Sequence, residues 1–232
     1  AKFNKSKQYI EKSSKFINND RFALIIYETL KQYLYVFLEN KIQKTNKNFG
    51  NLSFINETFQ RCYLEDQNTK TYFVNLVNNM NDNDYSRYIF FYINYLVSNN
   101  SLEEAKEIVA QLDYLNSTLL LSQIKKLVEE KKIKEFNKIF SCKNPNDIIS
   151  EFFFLIANLY SSQSDYKDSN FYLNISHYLN PKFKFNLSLL VDNYYLNKDY
   201  KEAKKILEKF NKGDDFYYWF KITKLTQIIS KS

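Results

Sequence analysis

Near the end of the chain a short phrase recurs at a fixed distance. Asp165-Tyr166-Lys167-Asp168-Ser169 returns as Asp199-Tyr200-Lys201-Glu202-Ala203, 34 residues later. A period of this length is that of stacked helix hairpins. Each is too small to bury its own apolar face, so a continuous core forms only between neighbours. The expected fold class is therefore all-α, an array of antiparallel hairpins.

Composition agrees. Two glycines and two prolines interrupt 232 residues, whereas sheets joined by tight turns need many more of both. The chain is 44% hydrophobic, with Leu, Ile, Phe and Tyr at helical spacing, which excludes disorder. The wealth of Asn, Lys, Ile, Tyr and Phe reads as the imprint of an AT-rich genome, so the net charge of +7 says little by itself. Lys125, Lys126, Lys131, Lys132 and Lys134 alternate with Glu129, Glu130 and Glu135, the pattern of a solvated helix face. Phe22 to Leu38 is broken by Glu28, Lys31 and Gln32, so it reads as a buried helix and no membrane span is expected. Cys62 and Cys142 lie far apart without CxxC spacing; they read as isolated thiols of a reduced compartment, with a single disulfide as the alternative. The chain starts at Ala1 and reads as a processed or truncated piece. Its compartment is read as the cytoplasm, with the periplasm as the alternative.

One array over 1–232 is expected. Residues 1–82 form divergent N-terminal helices, with helices at Gln8 to Ile17, Arg21 to Gln43, Leu52 to Glu65 and Thr69 to Met80, and a loop at Asn46 to Gly50. Residues 83–149 form irregular hairpins, with helices at Tyr85 to Val97, Thr118 to Glu130 and Ile133 to Phe140. Residues 150–215 form two well-matched repeats, in which Asp165 and Asp199 cap the second helices. Residues 216–232 are a terminal helix. Asn144-Pro145 and Asn180-Pro181 read as the ends of helices.

Within 150–215 the packing positions are Phe153, Ile156, Ala157, Tyr160, Ser169, Leu173, Ser176 and Pro181, followed one period later by Leu187, Leu190, Val191, Tyr194, Ala203, Leu207 and Phe210. This series resembles the tetratricopeptide repeat (TPR), and more loosely the multi-repeat TPR proteins of alphaproteobacteria whose role is not assigned. The second copy departs from the pattern at Val191 and Phe210 and lacks the closing proline. The resemblance implies a right-handed superhelical solenoid whose first helices line a concave groove. The lysine clamp of some chaperone-binding members is not reproduced, since Phe154 and Leu189 stand in its places.

Chemistry-bearing patterns are few. His177 is the lone histidine and no glycine-rich nucleotide loop is possible, so no catalytic residue, metal site or cofactor is expected and the chain is read as no enzyme. Adjacent carboxylates such as Glu103/Glu104 or Asp214/Asp215 do not face each other on a helix. The repeat register does align Asn94, Asn158 and Asp192 as a polar row in the implied groove. Phe90, Phe154 and Ser188 lie four residues earlier, and Val97, Ser161 and Tyr195 three later. Amides offer a donor and an acceptor to an extended peptide backbone. The expected function is a scaffold binding a protein or peptide through that groove. The rivals are an RNA-binding helical repeat, disfavoured by the acid in the row, and an accessory domain of a longer enzyme. Phe216, Tyr217, Tyr218, Trp219, Phe220, Ile222, Leu225, Ile228 and Ile229 give the terminal helix more apolar surface than one neighbour covers, so it reads as the opening of a further repeat lost by truncation or, as the alternative, as a face that docks on a partner or a second copy; self-association of this piece is expected either way.

Overall fold

The computed structural model describes residues 2–17, 20–78, 86–112, 118–213 and 215–231, and these are helical without a strand. Met80, Tyr85 and Asp214, which bounded or opened expected helices, lie outside the described residues. The first helix, α1 (Lys2–Ser13), starts earlier than expected, ends in a 3₁₀ turn and packs on α2 (Arg21–Glu39). The Asp20 carboxylate caps α2 by accepting the Phe22 and Ala23 N–H groups. Left-handed Asn40 stops it, so α2 falls short of Gln43. The Gln43 carbonyl oxygen instead accepts the side-chain amides of Gln32 and Gln60, which fastens the loop to the helices.

Five helix pairs follow. They are α3 (Asn51–Tyr63) with α4 (Thr69–Asn78), α5 (Ser86–Ser98) with α6 (Leu102–Ala110), α7 (Leu119–Glu129) with α8 (Ile133–Ile139), α9 (Pro145–Ser162) with α10 (Tyr166–Leu179), and α11 (Phe185–Leu196) with α12 (Tyr200–Leu207). The same turn closes every pair. A single residue in the left-handed region, Glu65, Asn100, Lys131, Ser164 or Lys198, sits at each bend. The N–H of the residue after it donates back to the carbonyl five positions earlier: Asp66 to Arg61, Ser101 to Leu96, Lys132 to Leu127, Asp165 to Tyr160 and Asp199 to Tyr194, at 2.8 to 3.0 Å. This bond satisfies a carbonyl that the ending helix leaves bare. The bends lie 31 to 35 residues apart. The segment expected to be irregular, 118–140, closes with the same turn, and its second helix, α8, is short as expected, with seven residues.

Two further expectations are corrected. Asn144-Pro145 opens a helix rather than ending one: the Asn144 side chain accepts the Asn146 N–H, and Pro145, whose missing N–H costs nothing at a first turn, begins α9. Cys62 and Cys142 are joined in a buried disulfide, not left as isolated thiols.

The core has two parts. One spans α2 to α9 and is dominated by aromatic rings, with Phe59 edge-on to Phe91 at 5.0 Å and Phe91 4.5 Å from Phe140. The other, over α9 to α13, gathers fully buried Ala157, Ala203 and Leu207 with Leu173, Leu187 and Val191. Ser169 is equally buried. The last helix, α13 (Asp215–Ile229), turns back onto α7. There Lys126 pairs with Asp215 at 2.7 Å, and the Tyr217 hydroxyl donates to Gln123. Tyr217 and Ile228 are buried, whereas Trp219 is 70% and Ile229 67% exposed. No described helix is long and apolar enough to cross a membrane.

Candidate binding cleft

A cleft of about 710 Å³ opens where the first helices of the pairs meet α2. Each wall is a single helix face, because residues three and four apart share a side. Phe22 and Ile25 come from α2, Leu52 and Ile55 from α3, Leu155 and Leu159 from α9, and Phe185, Ser188, Leu189 and Asp192 from α11. Phe49 joins them from the loop before α3. It is held there by Gly50, whose φ of +63° and ψ of −137° suit only glycine, and by the Ser53 hydroxyl that accepts the Phe49 N–H. Asn51, Asn158 and Arg21 stand exposed at the edge.

Arg87 of α5 is buried at the bottom, 5% exposed. Its Nε donates to both carboxylate oxygens of Glu151 on α9, at 2.7 and 2.9 Å, and its Nη2 donates to Glu151 Oε2 and, at 2.8 Å, to Asn186 Oδ1 on α11. The Asn186 amide then donates to Ser176 Oγ, and Ser176 exchanges hydrogen bonds with Ser150. A continuous buried polar chain thus joins α5, α9, α10 and α11. Four phenylalanines close around the guanidinium, with Phe154 3.4 Å, Phe183 4.8 Å, Phe185 5.6 Å and Phe91 5.7 Å from it to the ring centres. Nη1 has no hydrogen-bond partner among the described residues.

Burial sets the titration of this region. It raises the Glu151 carboxyl against the opposing charge and hydrogen bonds of Arg87. Burial also raises the Tyr88 hydroxyl, with the Glu151 charge adding to the effect. Arg87 and Glu151 cancel in charge, and Asp192 is paired with Lys224 at 2.7 Å. Hence the cleft floor is close to neutral although the chain is basic. No family model, curated protein or solved structure matches the chain.

Of the residues aligned by the repeat register, Phe154, Asn158, Ser188 and Asp192 line this cleft. Asn158 is exposed; the Ser188 hydroxyl is turned back to the Phe185 carbonyl. The others lie elsewhere. Asn94 is buried, donating to the Phe136 and Phe140 carbonyls at the end of α8. Phe90 is in the core, stacked on Phe183, and Val97 is buried too. The α7–α8 pair packs over the α5 face that the register assigned to the groove, which removes all three from it. Ser161 donates to Asn193 in the hairpin interior, and Tyr195 lies against Tyr200 with Lys224 over its ring.

Sequence reasoning missed Arg87, Glu151 and Asn186. A signal was present. The chain holds three arginines among 33 cations, at 21, 61 and 87, in a composition that otherwise chooses lysine. Arginine is the cation suited to a buried, forked carboxylate pair. Glu151 also interrupts an apolar run, Ile148 to Ile156, where a carboxylate must be partnered.

Proposed function

We propose that this chain is a non-enzymatic TPR-like helical-repeat module that binds an extended protein or peptide segment in the cleft above Arg87. The observation that carries the reading is the make-up of that cleft. Apolar faces of four helices converge on one space, amide side chains mark its edge, and a buried guanidinium with unpartnered donors lies beneath. Apolar walls with a few placed polar groups suit recognition, and the volume is within the usual range of about 300–1,000 Å³. Five like turns at near-TPR spacing support a right-handed superhelical array. RNA binding is the weaker reading. Grooves for single strands follow the backbone with a row of cations, whereas Arg87 is neutralised by Glu151 and Asp192 stands at the same cleft. An accessory role in a longer enzyme would use the same cleft. The Cys62–Cys142 bond supports an oxidising compartment such as the periplasm over the cytoplasm.

Selection of a random peptide library displayed on phage tests the binding function. Apolar-rich peptides should be enriched, and synthetic copies should lose affinity for Leu159→Lys, a change at an already exposed cleft position. Absence of enrichment, or equal binding to that variant, would overturn the reading. Exposed Trp219 and Ile222 support a second surface on α13 for self-association. Sedimentation equilibrium should find association that Trp219→Lys, Ile222→Lys abolishes; a strictly monomeric parent removes this surface from consideration.

A further inference from the structure

We propose that Arg87 receives a neutral acceptor, a backbone carbonyl of the bound segment, and that Glu151 makes the cleft reject a carboxylate in that place. This rests on the peptide-binding reading above and narrows its ligand. An arginine carries five N–H donors. Here Nε and Nη2 are engaged by Glu151 and Asn186, and both Nη1 hydrogens are left over inside an aromatic surround. A buried donor without a partner is costly, and folded proteins seldom leave one so. Binding that supplies the acceptor removes this cost, which makes Nη1 a determinant of what binds.

The charge of that acceptor follows from Glu151. The carboxylate is 1% exposed and in forked contact with the guanidinium, so the single positive charge is already matched. A second carboxylate on Nη1 would place two anions around one cation in an apolar site. Like charges at such distances repel strongly, and each must also give up its water. A peptide carbonyl satisfies the same hydrogens and brings no net charge. Phe154, 3.4 Å from the guanidinium, covers one of its faces. The acceptor must therefore approach at the edge, in the plane of the N–H bonds, where hydrogen-bond geometry is best. Nη1 is covered in the free protein, so docking requires side-chain rotamer changes of the kind common at interfaces. Above it, alternate apolar side chains of an extended segment would meet Leu155, Leu189 and Phe185.

Two probes of one shape, 3-phenylpropanamide and 3-phenylpropanoate, separate the possibilities at neutral pH. Titrations of the isotope-labelled full chain would follow the Arg87 side-chain N–H resonances and the amides of Leu155, Asn158 and Leu189. The amide should bind about tenfold or more tightly than the carboxylate and should shift Arg87. In Glu151→Gln, which keeps the shape but frees the positive charge, the preference should reverse. If both probes shift the cleft amides but the carboxylate binds equally or better to the wild type, the Arg87 inference is overturned and the cleft reading stands. The inference fails in the same way if Arg87 is unmoved at saturating amide, or if the preference persists in a folded Glu151→Gln. If neither probe shifts the cleft residues, the cleft reading fails and takes the inference with it. Should thermal unfolding show that Glu151→Gln does not fold, the wild-type preference and the Arg87 shift decide the matter.

Discussion

The α9–α12 region and the α2–α8 region build the same hairpins by different means. In α9–α12 the helices touch through small side chains: Ala157, Ser169 and Ala203 are fully buried. Hydrogen bonds run between the helices there, with Asn193 donating to Ser169 and Asn170 and accepting from Ser161. In α2–α8 the spaces between helices are filled by phenylalanine rings, and a disulfide ties α3 to the segment before α9. Small-residue contacts demand particular residue types at particular positions, since an extra methyl group is felt. Aromatic packing tolerates many arrangements of similar volume. The turn is shared by both regions, whereas the packing code is not. Arg87 lies at their junction.

The greatest loss is expected at that junction. Arg87→Met strands a buried carboxylate and should destabilise by about 3–5 kcal/mol, whereas the double change Arg87→Met, Glu151→Leu should regain much of that loss. Equal losses in the single and double variants, measured by urea unfolding, would show that the pair does not join the regions. Next comes the disulfide. It closes a loop with a sequence separation of 80, and Cys62→Ala, Cys142→Ala should cost about 2–4 kcal/mol. Hydrogen exchange should show the loss of protection concentrated in α3–α8, and a loss spread evenly into α10–α12 would blur the distinction between regions.

The sequence made one region far more legible than the other, for physical reasons. Ala157, Ser169 and Ala203 advertise close contacts by their size, and Asp165 and Asp199 announce the second helices as caps. The five bends carry no such mark. Glu65, Asn100, Lys131, Ser164 and Lys198 have little in common chemically, because the left-handed bend is held by a backbone bond rather than by a preferred residue. Gln43 stays outside α2 because of left-handed Asn40, one of many asparagines in the chain. Four of the nine aligned groove residues, Phe154 and Asn158 on α9 with Ser188 and Asp192 on α11, do reach the cleft. Asn94 and Phe90 miss it because α8 covers α5, a contact between distant segments that no local pattern encodes.

Smaller changes probe the same contrast. Ala157→Leu should destabilise by about 1–3 kcal/mol through overpacking, and an unchanged denaturation midpoint and slope would exclude a tight contact. Least of all, Lys131→Gly in one region and Lys198→Gly in the other should each stabilise by about 0.5–1 kcal/mol, because glycine accepts the left-handed bend without strain. Gains of similar size in the two calorimetric melts would confirm that the turn is common to both regions, and a gain in only one would separate them.

The proposed function turns on whether the cleft above Arg87 takes an extended segment. A crystal structure of the chain with a phage-selected peptide would answer that. The peptide should lie along α9 and α11, with one of its carbonyl oxygens within hydrogen-bond distance of Arg87 Nη1 and its apolar side chains against Leu155 and Leu189. A peptide bound elsewhere, for example on the exposed Trp219 face of α13, with Nη1 still unpartnered, would contradict the assignment of the cleft.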